Sequence, residues 1–167
     1  MYEARKIANF LLQKFDARTF DISNMKMNKL LYFIQGWGYV ILDRKIIRNH
    51  FVAWEYGPVI RSIYESFKEF EAQPISAPAK FLNYETGKLE DVAFDELDHE
   101  CVELVMKILP FYVEKSASEL VAMTHVPGGP WESIYKLTAG RQPIFQHIPD
   151  DLISTYFKTE FGGTKRH

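Results

Sequence analysis

The spacing of apolar residues predicts helices along most of the chain. Between residues 2 and 15, apolar side chains recur every three or four positions, as on the buried face of a helix. The same spacing continues over residues 27–41, where a residue at 23–24 can serve as the N-cap. Gly36 and Gly38 are poor helix formers. We therefore expect them to let the backbone of a neighbouring segment come close.

Further helices are predicted toward the middle of the chain. A third covers residues 58–70 and opens with a proline, which suits the first turn of a helix. A fourth begins after a cap at Asp95 and ends or kinks at Pro110. Ser116 and Glu119 have the spacing of a capping box, which predicts a short fifth helix running to residue 125.

Two more helical segments and two extended ones complete the pattern. The helices cover residues 130–137 and the stretch IPDDLISTYFK near the C-terminus. Residues 46–56 are rich in β-branched and aromatic side chains, which indicates a short extended or β segment. Residues 80–92 include ETGK, typical of a small hairpin, and their apolar side chains predict packing on the body. The fold class is mainly α, a compact single-domain bundle of about six or seven helices.

Length and composition support one domain. The chain has 167 residues, and we expect one domain over residues 1–160 with a frayed tail at 161–167. Apolar residues make up 47% and charged residues 25%, which is typical of a soluble globular protein. Aromatic residues reach 15%, which favours a protein-binding role. A net charge of -2, without a basic cluster or a helix-turn-helix, disfavours direct binding to DNA or RNA.

The sequence predicts no membrane span, metal site, cofactor or catalytic residue. No apolar run approaches the ~18 residues of a span, and one cysteine points to a reducing cytoplasm. Cys101 lies on an apolar helix face, as a buried and unreactive thiol would. The five histidines are far apart, and no zinc, phosphate-loop or GxSxG motif occurs. A long-range pairing of His50 with His125 stays open, as does an enzyme centred on His125 with Thr124.

The stretch ELVAMTHVPGGPWESIY predicts a helix, a turn and a second helix. His125 ends the first helix, where a cationic imidazole would suit the helix dipole. Gly128 or Gly129 can adopt the left-handed turn. Pro130 opens the next helix, and we expect Trp131 to hold this corner on the core.

Two separated stretches together resemble one family. They are KMNKLLYFIQGWGYVILDRKIIRNHFVAWEYGPVIRSIYESFKEF, residues 26–70, and SASELVAMTHVPGGPWESIYK, residues 116–136. Both resemble the Panacea domain of SocA-like and phage-associated antitoxins. The chain departs from the family pattern at Asn28 and in the loop 127–129. The matching motif positions that we take as structural or toxin-binding are Lys29, Tyr32, Gln35, Trp37, Trp54, Gly57, Pro58, Tyr64, Thr124, His125, Pro130 and Trp131.

The resemblance implies an antitoxin of a bacterial or phage-encoded toxin–antitoxin system. Such a protein would neutralise the toxin of a neighbouring gene in the cytoplasm by direct binding. Alternatively, it would act as an adaptor that delivers the toxin to an AAA+ protease. The resemblance implies no catalytic residue. Aromatic residues outside the helix stripes are candidates either for exposed anchors of the toxin or for partial burial in the core, namely Tyr2, Phe20, Tyr39, Phe51, Tyr56, Tyr112 and Tyr156.

Overall fold

Helices account for most of the chain in a computed structural model that describes residues 1–137 and 146–163. Within these residues the helices are α1 (Ala4–Lys14), α2 (Asn24–Ile41), α3 (Arg61–Phe67), α4 (His99–Val113), α5 (Ala117–Thr124), α6 (Pro130–Lys136) and α7 (Asp150–Phe161). The strands are β1 (Phe51–Trp54), β2 (Gly57–Val59), β3 (Lys80–Asn83), β4 (Lys88–Asp91) and β5 (His147–Ile148). The predicted mainly α fold, with one short β segment and one hairpin, is confirmed.

The centre of the fold is α2, which is buried along nearly its whole length. It packs against α1, α3, α4, α5, α7 and β2. From Leu30 onward its sequence is apolar on nearly all sides and must be covered on all sides, which explains this position. The close approach expected at Gly36 and Gly38 is made chiefly by side chains. A β-carbon at Gly36 would lie 2.2 Å from the Phe157 ring, and one at Gly38 would lie 2.3 Å from Ile46.

A three-stranded antiparallel sheet packs beside α2, in the order β2-β1-β5. The prediction that the third helix starts at Pro58 is wrong, because residues 57–59 form β2 and α3 begins at Arg61. Val52 pairs with Val59 and Trp54 pairs with Gly57 in the β1–β2 register. Proline lacks an N–H and is tolerated at the edge of a sheet. Pro58 occupies such an edge, on the side of β2 away from β1.

The predicted hairpin near residues 80–92 is confirmed, but its apolar side chains do not pack on the body. Strands β3 and β4 pair antiparallel, with Leu82 opposite Leu89. Leu89 is 67% exposed and Tyr84, in the connecting loop, is 91% exposed. A two-stranded hairpin has too little surface to bury residues on its own two faces. The expectation of packing on the body is therefore wrong for the hairpin itself. It holds where the segment ends, because Val92 is buried and the Asn9 amide donates to the carbonyls of Ala79 and Val92.

The start of α4 also differs from the prediction. Its N-cap is Asp98, whose Oδ1 accepts a hydrogen bond from the Cys101 amide at 2.8 Å, so Asp95 is not the cap. The helix continues past Pro110 to Val113. Tyr112 and Val113 are buried in the core, and their burial holds the last turn in place although proline removes one backbone donor.

The starts of α5 and α6 agree with the sequence. In contrast, α7 runs three residues past the predicted end at residue 158 and includes residue 161, where the expected frayed tail begins. Ser116 and Glu119 form the predicted capping box at the start of α5. Pro130 occupies the first turn of α6. The last residue of α7 is Phe161, whose ring lies 5.4 Å from that of Trp37. Residues 164–167 of the expected frayed tail lie outside the described residues.

The packing of Phe157 against Gly36 can be tested by substitution. We expect Gly36→Ala to lower the free energy of unfolding by about 1–3 kcal/mol, because the new methyl overlaps the ring and forces a shift. Urea denaturation followed by circular dichroism measures this loss. Gly162→Ala is the matched control, since a β-carbon there meets nothing within 4 Å. Equal stability of the two variants would contradict the close packing of α2 and α7.

Candidate functional site at the motif corner

Two neighbouring side chains of α2 bind the outer edge of β2. The Lys29 ammonium donates to the carbonyl oxygen of Pro58 at 3.0 Å. The amide oxygen of Asn28 accepts from the backbone N–H of Ile60 at 2.8 Å. Both backbone groups point away from β1, since groups along one strand of an antiparallel pair face opposite sides in turn. The two side chains therefore take the place of a further strand.

Gly57 lies where α2, β2 and α5 meet. Its φ is 103°, a backbone conformation that residues with a side chain rarely adopt. A β-carbon there would lie 2.7 Å from Thr124 Oγ1 and 2.8 Å from Lys29 Cε. The position therefore needs glycine for both its conformation and its space. Motif residues that are almost a hundred positions apart in sequence thus become direct neighbours.

His125 and Trp131 stack face to face across the turn between α5 and α6. Their ring centroids are 3.7 Å apart, at an interplanar angle of 12°. The indole N–H of Trp131 donates to the backbone oxygen of Trp54 in β1 at 2.7 Å. Gly128 supplies the left-handed residue of the turn, with a φ of 72°. The predicted corner of helix, turn and helix is confirmed, and the indole hydrogen bond ties it to the sheet. We use the name motif corner for the cluster of Lys29, Trp54, Gly57, Pro58, Thr124, His125, Gly128 and Trp131.

The environment of His125 does not favour the cationic imidazole expected from its position at a helix end. Two effects lower the pKa of His125: burial is the larger, and the positive charge of Lys29 adds to it. Its Nε2 atom is buried and has no hydrogen-bond partner among the described residues. The Thr124 hydroxyl donates to the Val121 carbonyl at 2.8 Å and not to the imidazole. Among the described residues, Thr124 therefore does not assist His125 in the way that an enzyme centred on His125 was expected to use it.

Lys29 is a fully buried cation. Water does not reach its side chain, and burial lowers the pKa of its amine to about 7. Within the described part of the chain, no carboxylate forms an ion pair with it. Its hydrogen bond to a neutral carbonyl only partly offsets the cost of removing an ammonium from water. The pKa of Lys29 therefore lies near neutral pH, where the amine gains or loses its proton.

An open groove of about 1060 Å³ adjoins the motif corner. Lys29, Trp54 and Tyr64 line it, with Met25 and Tyr56 at its mouth. The rings of Trp54 and Tyr64 meet edge to face, with centroids 4.9 Å apart. Tyr56 is 58% exposed and Tyr64 is 39% exposed. The groove therefore offers aromatic surface to solvent beside the most tightly constrained part of the fold.

The polar side chains Asn24 and Asn28 at the base of this groove were not singled out as site residues from the sequence. Asn28 donates to Asn24 through its side-chain amide at 3.1 Å, and Asn24 donates to the Tyr64 carbonyl at 2.9 Å. Two asparagines four residues apart inside an apolar helix are an unusual signal that the sequence does contain. Their amides are used within the fold and shape the groove from below.

Three motif residues on α2 lie away from the motif corner and serve the core. Tyr32 packs between the rings of Phe51 and Phe157. The Gln35 side-chain oxygen accepts from the backbone N–H groups of residues 46 and 47. Trp37 donates its indole N–H to the Tyr112 hydroxyl at 2.7 Å. Their contacts are structural.

The aromatic residues proposed as exposed anchors divide clearly. Phe51, Tyr39 and Tyr112 are buried, so for them the alternative of core burial holds. Tyr56 is exposed, as an anchor must be. Tyr2, Phe20 and Tyr156 are half-buried and pack partly on the core. Of the seven candidates, Tyr56 is therefore the one that presents most of its ring to solvent at the groove.

Other candidate chemistry is sparse in the structure. Cys101 is buried, and burial raises the pKa of its thiol to about 11. His50 stacks on His147, with ring centroids 4.9 Å apart, so it is not paired with His125. The described residues contain no group of three or more His, Cys, Asp or Glu side chains that could hold a metal ion. None of the helices in residues 1–137 and 146–163 is long and apolar enough to cross a membrane.

Fold and motif corner together define a small, mainly helical domain in which separated motifs meet. The chain belongs to the family described as antitoxin SocA-like, Panacea domain, whose sequence model matches residues 27–132. A relative named Antitoxin SocA, from Caulobacter vibrioides (strain NA1000 / CB15N), is 34% identical over 161 residues. The match covers 93% of this chain and 82% of the relative. No solved structure matches the chain. The family resemblance of the two sequence stretches is thus confirmed.

The depressed pKa of Lys29 makes stability depend on pH. Between the folded pKa of about 7 and the ordinary value near 10.5, the unfolded chain holds the lysine proton more tightly than the folded chain. The free energy of unfolding should therefore rise with pH across this window, by up to about 1.4 kcal/mol per pH unit. Below pH 7 the lysine is charged in both states, and this contribution to the slope vanishes.

Chemical denaturation of the wild type and Lys29→Met between pH 7.5 and 9 measures this effect. The methionine variant should lack the rise that is due to the lysine. The pKa of His125 is lowered from an ordinary value near 6.5, so its titration lies below this window. Parallel slopes for the two proteins would show that Lys29 keeps its ordinary pKa.

Proposed function

We propose that this protein is an antitoxin that neutralises a protein toxin by binding it directly, the toxin being encoded by a neighbouring gene. The observation that carries the proposal is the similarity to Antitoxin SocA over 93% of the chain. We further propose that binding takes place in the bacterial cytoplasm, in keeping with a single, buried cysteine thiol. The role requires a surface for a partner and no reaction centre.

The groove beside the motif corner supports this proposal as the surface that meets the toxin. Exposed aromatic side chains bury much area for little loss of conformational freedom, and they are common among the residues that dominate binding energy. Tyr56 and Tyr64 present such surface, and Met25 adds an exposed apolar side chain, around a groove whose base is fixed by hydrogen bonds of α2. A rigid base lowers the cost of binding, because little needs to be ordered when the partner arrives.

Co-expression tests the antitoxin role. The product of the neighbouring gene, expressed alone, should arrest growth, and co-expression of this protein should restore growth. Restored growth in a strain lacking AAA+ proteases, with a complex that co-purifies and the toxin at an undiminished level, would support direct blocking. Restoration only when such a protease is present, with loss of the toxin, would favour the adaptor role. Growth arrest that persists with this protein present would contradict the antitoxin role.

The position of the toxin-binding surface can be tested with two tyrosines. We expect Tyr56→Ala to weaken toxin binding by about tenfold or more, because an exposed ring at the groove mouth is lost. Tyr84→Ala is the matched control, since Tyr84 is exposed on the β3–β4 hairpin instead. Titration calorimetry with the purified toxin gives both affinities. If only Tyr84→Ala weakens binding, the hairpin and not the groove meets the toxin.

A further inference from the structure

An enclosed amine lies beneath the lining of the groove, and the described residues give it no counter-ion. Lys29 lines the groove, and its amine has one hydrogen-bond partner, the neutral carbonyl of Pro58. Lys26, one turn earlier on α2, is also buried but differs in its surroundings. It donates to the carbonyls of Phe20 and Val113, and three carboxylates lie near enough for their charges to act on it.

These carboxylates near Lys26 belong to Asp21, Glu114 and Glu119. Lys29, in contrast, feels no comparable negative charge, and the imidazole of His125 is the titratable group whose charge couples to it. A buried ammonium without a counter-ion is costly, because water solvates it far better than a carbonyl can. Of these two buried lysines, Lys29 is therefore the one whose electrostatic requirement is unmet in the free protein.

Among the described residues, none of the other buried side chains that line the groove lacks a partner in this way. The amides of Asn24 and Asn28 are used in hydrogen bonds to each other and to the backbone. The walls are aromatic and apolar, with Trp54, Tyr64 and Val59 among the lining residues. Exposed charges of both signs also line the groove, the carboxylates of Asp21, Glu55 and Glu71 and the cations of Arg61 and Lys68, so they do not favour a uniformly charged partner. The feature that selects by charge is Lys29, in the interior of the groove.

We propose that the toxin segment seated in this groove carries an Asp or Glu side chain among apolar residues, and that this carboxylate lies beside Lys29. The inference rests on the proposed function. A carboxylate within roughly 4–6 Å of an amine favours its charged form, even without direct contact. The groove would thus favour a segment with an acidic residue among apolar ones. A segment without that residue would leave the Lys29 amine without a counter-ion.

A carboxylate placed this close to the enclosed amine has a measurable consequence. At pH 8, an amine with a pKa of about 7 is about nine-tenths neutral, so pairing with a carboxylate draws close to one proton from the solvent. Titration calorimetry of the purified toxin into the antitoxin, in two buffers of different ionisation enthalpy, measures this uptake. We expect close to one proton for the wild type and a much smaller number for Lys29→Met.

Affinity gives a second readout with a matched control. Lys29→Met should weaken binding by about 10-fold to 100-fold, because the partner's carboxylate would then be buried without a cation. Lys26→Met is the control, since it also removes a buried amine that donates to backbone carbonyls but does not line the groove. It should keep both the proton uptake and the affinity, provided that circular dichroism shows a folded protein.

Variants of the toxin keep the test decisive if Lys29→Met does not fold. Each Asp and Glu of the toxin is changed to Asn or Gln, and each variant is titrated into the wild-type antitoxin. One substitution should abolish the proton uptake and weaken binding. Uptake that no such substitution changes, or tight binding without uptake, would overturn the inference while leaving the antitoxin role intact. A toxin that does not bind at all would contradict the proposed function itself.

Discussion

The fold depends on hydrogen bonds from side chains of α2 to the edge of β2. Lys29 and Asn28 hold the Pro58 carbonyl and the Ile60 amide, so a central helix completes a sheet that is only three strands wide. With that edge fixed, the turn at Gly57 lies against Thr124. The adjacent strand then offers a carbonyl to Trp131. Sheet, α5 and α6 are positioned relative to one another through these few polar contacts.

Much of the helical architecture could be predicted from sequence because it rests on local signals. The capping box of Ser116 and Glu119, the proline at the start of α6 and the long apolar pattern of α2 each act within a few residues. The predictions that were wrong concern places where tertiary contacts overrule such signals. Pro58 is as acceptable at a sheet edge as in a helix, and only the partner on α2 decides between the two.

The residues of the motif corner could be picked out from the sequence, but their arrangement could not. The two stretches that resemble one family contain the whole motif corner, yet spacing alone cannot show that Gly57 touches Thr124. The charge state expected for His125 was wrong because the helix dipole is a local effect. Burial and the nearby amine of Lys29 act from another helix and outweigh it. The burial of Lys29 is likewise invisible in a sequence where lysines usually lie on the surface.

The polar side chains of α2 are buried and hydrogen-bonded within the fold, which limits the substitutions that such a protein can accept during evolution. Asn24, Asn28 and Lys29 are committed to the interior, so their replacement would disturb the framework and the groove together. Residues at the mouth of the groove, such as Met25 and Tyr56, are exposed to solvent and lie outside this hydrogen-bond network. Mutation there can alter the contact surface at little structural cost. The architecture thus separates buried residues that are hard to replace from exposed residues at the groove mouth that selection can change to fit a new partner.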